Sequence, residues 1–191
     1  MVFTEISSTY PTVASVVSSG GVFAWQHYVI YLNAALLTVL TAAVFSGFCV
    51  IYADDFPLAT RIAGVFIPVY AVGNFVAYLS QVILLPRMAE TASIDLVFQW
   101  IQTADGSIVQ FINILSYAVL GIPSILIGRV LVRDPVGSSV GGTLLIISGL
   151  LSMLALAGFA AANVVLLLMS LVSGGVFLIA LIVIAARMSK G

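Results

Sequence analysis

Charge is what this chain has least of. Only 7% of its 191 residues are Asp, Glu, Lys or Arg, where a soluble domain carries roughly 25%. With 62% hydrophobic residues beside that deficit, the chain reads as an all-α integral membrane protein. The formal net charge of −1 leaves no basic surface, and no nucleic-acid partner is expected. The one cysteine, Cys49, excludes a disulfide framework. With His27 as the one histidine, no protein-built zinc or iron–sulfur centre is expected, and no cofactor is named by any motif. No lysine lies inside an apolar run, so a retinal Schiff base has no anchor. No carboxylate lies there either, which removes the usual carrier of proton- or ion-coupled transport. HExxH and buried Ser–His or Asp pairs are also missing, so a non-enzymatic protein is expected. Residues 1–21 lack Lys or Arg ahead of an apolar core and are not read as a secretory signal peptide.

What is present is organised around the stretch from Arg61 to Pro86. Ile62 to Leu85 is uncharged and long enough to cross a bilayer as one helix. At about 100° per residue, Tyr70, Asn74, Tyr78 and Gln81 fall within one arc of about 80°. Lipid cannot satisfy such a stripe, so it must face protein or water. A second stripe, Gln110, Asn113, Tyr117, Gly121, Ser124 and Gly128, occupies an arc of about 80° on a later helix and is its natural partner. Counting depth from Leu85 and from Gly106 sets Tyr78 near Asn113 and Asn74 near Tyr117.

Read in order, the chain gives an extracytoplasmic segment (1–21), a single transmembrane domain (22–187) and a short cytoplasmic tail (188–191). Five spanning helices are expected, at about 22–52, 62–85, 106–131, 140–160 and 163–186. Ile94, Val97, Phe98 and Ile101 against Asp95, Gln99 and Gln102 predict a short interfacial helix over about 93–103. Small residues recur at helical spacing: Ala34, Thr38, Ala42 and Ser46 on the first helix, and Gly141, Ser148, Ser152 and Ala155 on the fourth. Asn163, Ser170 and Gly174 do so on the fifth. Such stripes let helices approach closely. Arg61, Arg129, Arg133, Arg187 and Lys190 fall on one side of the membrane and Arg87 alone on the other. The N-terminus is therefore expected outside and the C-terminus in the cytoplasm.

Orientation gives the polar residues a common depth. His27, Tyr31 and Asn33 on the first helix, Asn74, Tyr78 and Gln81 on the second, and Gln110 and Asn113 on the third sit in the outer half. Tyr70 and Tyr117 sit near the middle. Pro68 and Pro123 are expected to kink their helices at one level and to leave a cavity open to the exterior. The ten polar residues are then candidates to bind a neutral amphiphilic or aromatic, lipid-like molecule between helices one to three. Amides and phenols in membrane helices also serve simply to bond neighbouring helices. On that reading the chain is an accessory subunit of a membrane complex, or a homo-oligomer, docking through helices four and five. A facilitator for small neutral solutes is the third possibility, weakened because the polar path stops at Ser124.

Overall fold

The computed structural model describes residue 16, residues 23–135 and residues 137–188. All regular structure among them is helical: α1 (Trp25–Ile51), α2 (Pro57–Leu79), a π-helical turn (Ser80–Leu84), α3 (Leu85–Thr91), α4 (Ile94–Gln99), α5 (Ile108–Arg133), α6 (Ser139–Ala160), α7 (Val164–Leu167) and α8 (Met169–Met188). Five stretches are long and apolar enough to cross a bilayer: α1, Pro57–Thr91, α5, α6 and Val164–Met188. The protein is an all-α membrane bundle of five transmembrane helices. Half of the most apolar stretch of α5 is buried, against 17% in the fifth span, so α5 is the span most enclosed by protein. The N-terminal segment 1–21, apart from Val16, and the tail beyond Met188 lie outside the described residues.

The chain divides into two compact units, residues 1–40 with 72–113, and residues 41–71 with 114–191. The first holds two apolar clusters. In one, Leu85, Val97 and Ile101 pack with Val16; in the other, Tyr31, Ala35 and Tyr78 pack together. Here α4 takes the place of the expected interfacial helix, but it stops at Gln99, short of residue 103. Val97 and Ile101 are fully buried while Ile94 is exposed, so the segment is docked onto its unit by its C-terminal half.

The second unit is knit by small residues. A Cβ added to Gly128 would lie 2.6 Å from the Gly142 carbonyl oxygen, and one on Gly121 would lie 2.6 Å from that of Gly149. Backbones this close bring α5 and α6 together with no side chain between them. The other face of α6 meets α8, where the Ser173 hydroxyl donates to the Ser148 carbonyl at 2.9 Å and lies 2.6 Å from the Ser152 hydroxyl. Phe45 and Phe177 stack beside a core of Ile67, Leu120, Ile127 and Leu145. The fourth and fifth spans turn at Ala161 to Asn163, as the sequence predicts. Ala162 takes the left-handed φ of 49° there, and the Asn163 side chain caps α7.

Two expectations need correction. The second span does not end at Leu85 but runs through Pro86 to Thr91. The fifth span buries Ser173, Ala180 and Ile184, while Gly174 faces open space. A break at Leu168 separates α7 from α8, so the helical phase counted from Asn163 is lost before Gly174. Helix continues through both Pro68 and Pro123.

Candidate functional site

The polar residues of the first unit are assembled around Gln81, and Pro86 is the reason. A regular α-helix would drive the Pro86 ring against the carbonyl of Val82 and leave that carbonyl without a donor. The helix widens instead, and the Leu85 N–H bonds the Ser80 carbonyl, five residues back. In that register the Gln81 carbonyl looks to residue 86 for a hydrogen bond, and proline has no N–H to give. His27 supplies it: Nε2 lies 2.8 Å from the Gln81 oxygen. A carbonyl only accepts, so the neutral imidazole carries its proton on Nε2 and presents Nδ1 as a bare acceptor.

The Gln81 side chain is itself fully buried, and it makes three hydrogen bonds. Nε2 donates to the Trp100 carbonyl at 2.7 Å and to Ser80 Oγ at 3.1 Å, and Oε1 accepts from the Gln102 N–H at 3.1 Å. This amide clamp takes up the backbone just after α4, which is why the helix ends at Gln99. The next residues set up α5. Ser107 Oγ accepts from the Gln110 N–H and donates to the Ile101 carbonyl, and Gln110 Oε1 accepts from the Gly106 N–H. Ser107 is thus the N-cap, and Gly106 supplies the φ of 80° that the turn needs.

Further along, Asn113 Nδ2 donates to Asn74 Oδ1 at 3.2 Å. The second and third spans do face each other through their polar stripes, but one helical turn out of the expected register, which set Tyr78 against Asn113. The expectation took Leu85 as the surface end of its helix. It thereby set Leu85 level with Gly106, whereas the Asn74–Asn113 bond places Leu85 about four residues, one turn, further out, where it is buried beside Val97 and Ile101. Tyr31 joins the group, its ring 4.9 Å from that of His27 and 6.4 Å from that of Tyr78, and Phe23 stacks on His27 at 4.5 Å.

Six of the ten sequence candidates lie in the first unit in two sets: His27, Tyr31, Tyr78 and Gln81 are linked by a bond and ring contacts, and Asn74 pairs with Asn113 one turn before Tyr78. Gln110 is used in capping α5. Asn33 is exposed, about 200° around α1 from Tyr31, and does not join them. Tyr70 and Tyr117 belong to the second unit, where their rings lie 6.1 Å apart. Sequence reasoning missed Ser80, Gln102 and the Trp100 carbonyl, although Pro86 was the visible sign of a freed carbonyl nearby.

Among the described residues, two side-chain atoms here are buried without a hydrogen-bond partner, His27 Nδ1 and Asn74 Nδ2. His27 is 4% exposed and Asn74 is not exposed at all. One is an acceptor and the other a donor, and the rings of Phe23, Tyr28 and Tyr31 stand against His27. Such a set can hold a neutral polar group by hydrogen bonds and stacking. Among the described residues no three His, Cys, Asp or Glu lie close enough to hold a metal ion. Comparison with protein-family models, with curated proteins and with solved structures finds no match to this chain.

Proposed function

We propose that this protein is a non-enzymatic membrane protein that holds a small neutral molecule, amphiphilic or aromatic, beside His27, Tyr31, Asn74 and Asn113. The observation that supports this is the pair of unmatched atoms, His27 Nδ1 and Asn74 Nδ2. An unmet buried polar atom costs about 1–3 kcal/mol, and a ligand hydroxyl or amide that met either atom would reduce that cost. With the positive-rich side in the cytoplasm, this group belongs to the exterior half of the cell membrane.

The test is to purify the full chain in mild detergent and identify co-purifying neutral molecules by mass spectrometry. Wild-type protein should carry a molecule that Asn74→Leu and His27→Phe each lose, in addition to the about 1–3 kcal/mol of stability each costs by unpairing the Asn113 amide or the Gln81 carbonyl. Equal content in all three proteins would overturn the reading. So would variants that lose nothing but stability.

An accessory-subunit role has its own support in Gln81, whose three hydrogen bonds to Ser80, Trp100 and Gln102 all hold parts of this chain together. It is also favoured by the fifth span, whose Leu171, Leu178, Ile179 and Ile182 are exposed. A stable hetero-oligomer recovered in mild detergent, with no bound small molecule, would establish this second role.

A further inference from the structure

The second unit contains a cavity of about 300 Å³ unrelated to the polar group just described. Its walls are Phe56, Ile62, Leu126 and Val130, and its rim carries Arg129 and Arg133. The two arginines stand one turn apart at the end of α5, so their guanidinium groups share one face. Both are exposed, and among the described residues neither has an ion-pair or hydrogen-bond partner. The nearest acid in sequence, Asp134, accepts the Tyr52 hydroxyl at 2.8 Å. Leu58 and Ala59, in the first turn of α2, also line the cavity. Helices leave the amides of their first turn without internal acceptors, and they favour an anion there.

We infer that this cavity is a site for a phosphate-bearing amphiphile, with the phosphate on Arg129 and Arg133 and the first part of an acyl chain against Phe56, Ile62, Leu126 and Val130. Planar guanidinium groups match phosphate oxygens in paired hydrogen bonds. Two adjacent guanidinium groups without an ion-pair partner among the described residues favour a headgroup that brings only negative charge over a zwitterionic one, whose own cation they would repel. The volume suits a headgroup and chain origin, with the rest of the lipid left in the bilayer. Basic pockets between membrane helices on the positive-rich side bind such headgroups. The apolar walls separate a lipid from free phosphate, which gains nothing from them.

The experiment is native mass spectrometry of the full chain in mild detergent, titrated with a short-chain phosphatidic acid, its phosphatidylcholine counterpart, and inorganic phosphate. The phosphatidic acid should bind at least tenfold more tightly than the phosphatidylcholine. Arg129→Gln with Arg133→Gln should remove that preference while unfolding as wild type does, since both side chains are exposed. Arg87→Gln, an exposed arginine of the other unit, should leave binding unchanged. Ile62→Trp, which fills the cavity and keeps both charges, should weaken the lipid severalfold and leave phosphate unaffected. Equal binding of both lipids, or retained preference in the double variant, would overturn the site. Inorganic phosphate binding as tightly as the phosphatidic acid would overturn the lipid as its source.

Discussion

The two units hold their helices together by different means. In the first, a few large polar side chains make long-range bonds: Gln81 to Trp100 and Gln102, His27 to Gln81, Asn113 to Asn74. In the second, contact is made by what is small: glycine against glycine carbonyl between α5 and α6, and serine against serine between α6 and α8. Lipid tails are as apolar as leucine, so hydrophobicity alone does not drive one membrane helix onto another. Polar bonds and close packing are the two remaining sources of specificity. The first unit relies on long polar side chains, and the second on glycine contact together with short serine hydrogen bonds. The difference has a functional corollary. A close-packed interface of glycines leaves no unmet bond, whereas a polar network can be left incomplete, as it is at His27 Nδ1 and Asn74 Nδ2.

The contrast breaks most visibly at Gln81. Gln81→Leu strips partners from the Trp100 carbonyl and the Gln102 N–H at once, and should destabilise by about 2–4 kcal/mol on the cost of two unmet backbone groups. Hydrogen exchange should rise at residues 100–102 and stay unchanged along α6. A loss under 1 kcal/mol would mean that the polar network does not hold the first unit.

A smaller effect is expected in the second unit. Gly128→Ala sets a methyl 2.6 Å from the Gly142 oxygen and should cost about 1–3 kcal/mol as overpacking. Gly174→Ala, with nothing within 4 Å, should be neutral or stabilising by up to about 1 kcal/mol through helix propensity. Thermal unfolding of the pair in one detergent separates packing from propensity. Equal effects at the two sites would remove glycine contact as the basis of the second unit.

The smallest effect is pH-dependent and belongs to Tyr52, outside the spans. Burial, then the hydrogen bond and charge of Asp134, push its hydroxyl up to about 12 from an ordinary 10.0. The folded state thus holds this proton more tightly than the unfolded chain. The contribution is complete below pH 10 and is lost as pH rises toward about 12. Tyr52→Phe should lose about 1 kcal/mol at neutral pH with the Asp134 hydrogen bond and flatten the alkaline part of the stability curve. Identical slopes in variant and wild type would show that the Tyr52–Asp134 bond contributes nothing.

Much of the site was legible and part of it was not, for reasons that particular residues make plain. The inward stripes followed from angle alone, because a polar side chain facing lipid has no partner: Asn74, Gln81 and Asn113 all turn to protein. Asn33 fell outside because its own angle on α1 puts it opposite Tyr31, although its depth matched. The register failed because it set a helix end at Pro86 level with the start of α5, whereas the helix passes that level by about a turn. Proline ends a helix only if nothing accommodates it, and here a π turn and His27 do.

The sequence by itself determined that there are five membrane spans, roughly where they lie, and which faces are polar or small. Those properties depend on composition and on a period of 3.6 residues, which any stretch of helix carries locally. Only the tertiary structure decided which helix turn meets which, what ends α4, and which polar atoms are left unmatched. Each of those depends on a bond between residues far apart in the chain: His27 to Gln81, Gln81 to Gln102, Asn113 to Asn74. No local period encodes them, because one added residue in a π turn shifts everything beyond it by about 100°.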